Sequence, residues 1–191
     1  MNEKMTNSDV EHIKDHNRQR TKLSQSEKHA KTNTSLTIMR TPRLTLREPV
    51  KQDWEDIYDY MQHGSIQEYM PQAPKDYTKQ DAKNKVSSLQ ELNAQDDAKA
   101  WVIEHNETTT VIGIIDEKLA LQHRKARLGY HISPDYQRRG LMTEAIQDVI
   151  QQGFNDNVHK FTAEIASQNH ASRQFIESLG FKDEGTLRAE L

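Results

Sequence analysis

The stretch Pro134-Asp-Tyr-Gln-Arg-Arg-Gly-Leu-Met-Thr-Glu-Ala-Ile146 decides the fold, because it joins two segments of different hydrophobic period. Leu128-Gly-Tyr-His-Ile-Ser133 before it reads as a strand. Behind it, Met142, Ala145, Ile146, Val149 and Ile150 share one face of a helix that is expected to end near Gly153. A second strand pattern runs from Lys160 to Ile165. A helix that links two neighbouring strands of one sheet requires them to be parallel, so strands 127–133 and 160–165 form a parallel pair.

The remaining elements follow outward from this crossover. Ala100 to Glu104, Val111 to Leu119 and Arg127 to Ser133 are three strand patterns separated by charged or turn-rich segments such as Asn106-Glu-Thr-Thr109, as in an antiparallel meander. Arg43-Leu-Thr-Leu-Arg47 alternates as a half-buried strand. Trp54, Ile57, Tyr58 and Met61 repeat at helical spacing, and Lys79 to Gln95 reads as a surface helix with Ala82, Val86 and Leu89 inward. A last helix carries Phe175, Ile176 and Leu179, closes at Gly180 and leads to a strand starting at Phe181. The order β α α β β β α β α β is an α/β mixture with a mixed central sheet flanked by helices.

The junction also has a chemistry. A helix that starts at Gly140 leaves about four N–H groups without intrahelical partners and gathers roughly half a positive charge there. Gly140 has no Cβ to keep an anion away, and Arg138 and Arg139 add charge-assisted donors suited to phosphate oxygens. The site lies at the C-terminal end of a strand, where α/β proteins bind ligands. The bland alternative is a solvated pair of arginines beside a strand-breaking glycine. The motif is neither GxxxxGK[ST] nor GxGxxG.

Composition bounds the function. The chain has 191 residues and a net charge of −3, too mild to point to nucleic acid or an anionic membrane. No apolar run approaches the roughly 20 residues of a membrane span, and the N-terminus has no signal-peptide core, so a soluble cytoplasmic protein is expected. With no cysteine there is no disulfide, thiolate metal site or cysteine nucleophile. Nine histidines form no HExxH; His12 and His16 could share a helix face but sit in so polar a segment that they read as solvated, and no metal is expected. Residues 1–35 contain no aromatic residue, Gly or Pro, and read as a disordered polar arm in which Ser8-Asp-Val-Glu11 could cap a short helix. Residues 36–191 form the folded domain.

Two blocks together resemble a known family. Gln137-Arg-Arg-Gly-Leu-Met142, between strand and helix, is similar to the Q/R-x-x-G-x-G/A signature of the GNAT superfamily of N-acetyltransferases. Asn169-His-Ala-Ser172, Glu177-Ser-Leu-Gly-Phe181 and Glu184-Gly185 look like the N-x-x-S-x-x-x-x-E-x-x-G-F-x-x-E-G pattern of its ribosomal-protein N-terminal (RimJ/RimL-like) branch, and Arg40-Thr-Pro-Arg-Leu-Thr-Leu-Arg47 resembles that branch's first strand. The resemblance covers residues 38 to 191. It implies acetyl-CoA as cosubstrate, with no metal, and a primary amine as acceptor: a protein N-terminus or a small molecule. It further implies that Gln137, Arg138, Arg139, Gly140, Leu141 and Met142 hold the pyrophosphate. The strand end at Ile132 and Ser133 would meet the thioester arm, and Asn169 would hold the pantetheine while also capping its helix.

The catalytic residues implied are Ser172, assisting the departing thiolate, and Glu190 as the base, with Glu164 and His131 as alternatives from their central positions. Many superfamily members place a tyrosine one turn after the position of Ser172; here it is Ile176. Met142 departs from the usual Gly or Ala. Branch members also continue past Thr186-Leu-Arg-Ala-Glu-Leu191, so a sheet lacking the final strand is expected, with an edge open to a second copy of the chain as a homodimer. A domain that only binds coenzyme A or a protein partner is the other reading this end leaves open.

Overall fold

The computed structural model describes residues 36–186 except 68, 69, 71 and 72. The arm expected over residues 1–35 and the base expected at Glu190 lie outside the described residues. The elements are β1 (Met39–Arg40), β2 (Leu44–Arg47), α1 (Trp54–Met61), a short α2 (Gly64–Gln67), α3 (Lys79–Asn93), β3 (Ala98–His105), β4 (Val111–Ala120), β5 (Lys125–Ile132), α4 (Leu141–Asn155), β6 (Lys160–Ala163) and α5 (His170–Ser178). The strands form one sheet in chain order, β1-β2-β3-β4-β5-β6. Every neighbouring pair is antiparallel except β5–β6, the parallel pair that the crossover through α4 demands.

Strand alternation gives the sheet two buried faces. Ala100 and Val102 join Ile57, Ala82, Val86 and Leu89 of α1 and α3, whereas Trp101 and Ile103 join Ile115, Leu128, Ala145, Ile146 and Val149 on the α4 side. Phe175 and Leu179 bring α5 to the α4 face. Local chemistry sets the helix ends. Thr78 caps α3: Asp81 N–H donates to Thr78 Oγ1 at 3.2 Å, and Thr78 N–H donates back to the Asp81 carboxylate at 2.8 Å.

Two details differ from the sequence reading. Helix α4 runs past Gly153, which is buried; a Cβ there would overlap the Phe161 ring, so this glycine serves packing. The helix ends in a Schellman arrangement at left-handed Asn157, with Val158 N–H on the Gly153 carbonyl at 2.9 Å and Asn157 N–H on Phe154 at 3.1 Å. Residues 181–186 are also not a strand. Gly180, at φ +91°, turns the chain out of α5, and Asp183 accepts the Gly185 N–H at 2.8 Å in a local turn that competes with strand pairing.

One buried charge has a measurable consequence. Glu117 on β4 is 2% exposed and its Oε1 has no partner among the described residues. Burial pushes its pKa up to about 7, against the pull of cross-strand Lys99, which is itself paired with Asp156 at 2.6 Å. The folded state therefore holds this proton more tightly than the unfolded chain does. The resulting penalty is absent below about pH 4.5, grows as pH rises, and is complete above about pH 7, where it amounts to roughly 3 kcal/mol. Glu117→Gln should accordingly stabilise the domain at pH 8 and do much less at pH 5. Urea denaturation of both proteins at the two pH values checks this, and equal effects would mean that the carboxylate is compensated.

Candidate active site

The sheet opens where β5 outruns β6. Pairing of β5 with β4 continues to Ile132, opposite Gly113, but pairing with β6 stops at Leu128 opposite Ala163. The Ser133 N–H donates to the Ile112 carbonyl at 2.7 Å, so strand alternation turns the amides of Tyr130 and Ile132 away from β4, toward the gap. Ser133 thus spends its amide on β4, and its carbonyl accepts from Tyr136 N–H at 2.9 Å. Its part is to turn the chain.

The turn Pro134–Tyr136 leads into the loop that caps α4. Arg138 (φ +59°) and Gly140 (φ +74°) both take left-handed conformations. Gly140 is the N-cap without a capping side chain, so the first-turn N–H groups of α4 remain for an external acceptor. A Cβ added at Gly140 would meet only the Arg43 guanidinium, at 3.6 Å, which leaves open space over these amides. The Leu141 and Met142 side chains are both buried in the core, so only their backbones can face a ligand. Gln137 donates to the Ile132 carbonyl at 3.4 Å, and Arg139 lies 5.3 Å over the Tyr136 ring, which packs in turn on His105 at 5.4 Å.

A residue that sequence reasoning did not single out fixes this loop. Arg43, just before β2, contacts the Glu144 carboxylate through Nε (2.7 Å), Nη2 (2.6 Å) and its own backbone N–H (3.1 Å), and donates from Nη1 to the Arg139 carbonyl at 2.9 Å. Burial works against ionisation of Glu144, but hydrogen bonds from Thr41 and Arg43 outweigh it and hold the carboxyl below its ordinary range. The α4 N-terminus thus carries an acid that Arg43 neutralises.

Helix α5 presents Ser172 in its first turn. Asn169 Oδ1 accepts the Ser172 N–H at 3.0 Å, which leaves the Asn169 amide group free to donate elsewhere. Ser172 Oγ lies 2.7 Å from the Tyr130 phenol oxygen, and the Tyr130 ring meets Phe175 edge-on at 5.4 Å. On the other face of β5, His131 Nε2 is 3.1 Å from the Tyr60 hydroxyl. Desolvation, helped by the charge of Lys85, pushes the His131 pKa down to about 3, so its imidazole is neutral near pH 7. Glu164 lies just beyond β6, is 63% exposed, and pairs with Arg127 at 3.0 Å. Apart from Glu190, the structure therefore brings the residues expected of the site around the gap and the α4 N-terminus, with Glu164 at the solvent surface.

The chain is similar to known proteins over most of its length. A family model described as an acetyltransferase (GNAT) domain matches residues 43–182. A Bacillus subtilis (strain 168) protein described as the uncharacterized N-acetyltransferase YoaA is 31% identical over 153 residues, covering 79% of this chain and 86% of that protein. Among solved structures, the microcin C7 self-immunity acetyltransferase MccE, in complex with acetyl-CoA and AMP, superposes with a TM-score of 0.68 at 22% identity, covering 79% of this chain and 86% of its own. The ribosomal L7/L12 α-N-protein acetyltransferase RimL does so with a TM-score of 0.68 at 16% identity, covering 78% and 82%.

Proposed function

The chain belongs to the GNAT acetyltransferase family, and from that premise we propose that it moves the acetyl group of acetyl-CoA directly to a primary amine. The observation that carries this reading is the alignment of two donor sets. The Tyr130 and Ile132 amides face the gap beyond Leu128, and the uncapped amides of α4 lie where β5 ends. The backbone of Gly140, Leu141 and Met142, with Arg138 and Arg139, suits a diphosphate. Asn169 offers its free amide group to the pantetheine arm. The β5 amides are placed to stabilise negative charge growing on the thioester oxygen.

In the transfer, the neutral amine nitrogen bonds to the carbonyl carbon, the carbon–sulfur bond breaks, and the amine proton passes to a base. Ser172 gives its hydroxyl hydrogen to the departing sulfur. Glu190 is the base implied by the family resemblance, with Glu164 at the solvent surface and His131 on the opposite face of β5 as alternatives; burial of His131 makes its imidazole the weaker base. The acceptor is a protein N-terminus or a small amine, and a homodimer would form through the β6 edge, which no other strand among the described residues pairs with.

A panel tests the reading: acetyl-CoA with serine- and alanine-initiated peptides, spermidine and kanamycin, followed by thiol release and product mass. Release of coenzyme A together with one acetylated amine is expected. Tight coenzyme A binding without any acetylated product would leave a binding domain only.

A further inference from the structure

We infer that Tyr130 is a positioning residue for thiolate departure, its phenol holding Ser172 so that the serine hydrogen points into the gap between β5 and β6. The inference rests on the reading of Ser172 given above and adds a residue to it. A serine in a helical turn ordinarily donates to a carbonyl one turn back. Here the hydrogen-bond partner of Ser172 Oγ among the described residues is instead the Tyr130 phenol, at 2.7 Å.

Which oxygen donates follows from acidity. A phenol is the stronger acid, and burial raises the Tyr130 pKa above its ordinary value despite the Ser172 hydrogen bond, so the O–H stays intact near neutral pH. The phenol oxygen also lies 3.5 Å from the Ser172 carbonyl, a longer contact than the 2.7 Å to Oγ; with the phenol as donor to Oγ, Ser172 accepts and its own hydrogen is free for another acceptor. The Phe175 ring, edge-on at 5.4 Å, fixes the phenol against α5. The backbone of the same tyrosine turns its amide to the gap, so one residue sets both a donor for the carbonyl oxygen and the direction of the acid. Proton balance is simple. As the carbon–sulfur bond breaks, sulfur takes the Ser172 hydrogen, and the proton the amine gave up through the base returns by way of solvent to the serine oxygen; the Tyr130 O–H keeps its own hydrogen and only holds Oγ in place.

Tyr130→Phe keeps the ring against Phe175 and removes only the hydroxyl. With the panel amine that wild type acetylates fastest, kcat should fall on the order of tenfold or more while the KM for acetyl-CoA stays put. Ser172→Ala should fall at least as far. The double variant should be no slower than Ser172→Ala alone, since a residue that works only through Ser172 has nothing left to lose. Full activity in Tyr130→Phe, or losses that multiply in the double variant, overturns the role. Full activity in Ser172→Ala removes the serine step itself, and with it the basis of the inference, while leaving acetyl transfer standing. If no amine is acetylated by wild type, the transfer reading fails and takes this role with it.

Discussion

Gly140→Trp should lose at least about a hundredfold in affinity for coenzyme A while the domain stays folded. Two effects act together. At φ +74° any side chain is strained, and an indole would fill the open space over the first-turn amides of α4, where the diphosphate is to sit. Removing several charge-assisted N–H contacts at once is worth two decades or more, since each contributes roughly 1.5–3 kcal/mol. The fold should tolerate the change because Gly140 is exposed and only Arg43 comes near. Calorimetry with coenzyme A reads the affinity, and circular dichroism melting reads the fold. An unchanged affinity would mean that the diphosphate does not sit on this loop.

Arg43→Met should weaken coenzyme A binding on the order of tenfold, and Arg43→Met combined with Glu144→Gln should regain part of the loss. The reason is charge. Glu144 stands in the first turn of α4, the place where an anionic ligand is expected, and the Arg43 side chain both neutralises it and ties down the Arg139 carbonyl. Without Arg43 the carboxylate repels a diphosphate and the loop loses an anchor. The second substitution removes the repulsion but not the lost anchor, so recovery is partial. Because the Arg43 side chain is 46% exposed, the effect should shrink as salt is raised. Titration of the two variants at low and high salt decides it. If the double variant binds no better than Arg43→Met, the effect of Arg43 is purely on loop geometry.

What the sequence revealed and what it hid divide along chain separation. The three-stranded meander, both amphipathic helices packed on it and the parallel crossover rest on periodicities within a few residues, and all stand in the structure. The uncapped helix start behind Gly140 was legible for the same reason: a strand, two arginines, a glycine and a helix start are contiguous. The contacts that organise the site are not local. Arg43 and Glu144 are 101 residues apart, Tyr60 and His131 71, and Tyr130 and Ser172 42, and no period within one element announces such a pair. Only the face of Tyr130 was foreseeable, since two-residue alternation groups it with Leu128 and Ile132. Gly153 misled because a glycine late in a helical pattern usually marks its end, and here the Phe161 ring needed the space. The segment from Phe181 misled because its local Asp183–Gly185 turn outweighs strand pairing.

In the proposed complex the N-terminus of α4 grips the diphosphate of acetyl-CoA while the β5–β6 gap takes only the thioester arm. Calorimetric titration of the unaltered chain with acetyl-CoA and with acetyl-pantetheine, which has the arm but no diphosphate, tests it directly. One site that prefers acetyl-CoA by about two orders of magnitude is expected, with a preference that falls as salt is raised. Equal affinity for the two compounds, or a preference that ignores salt, would contradict it.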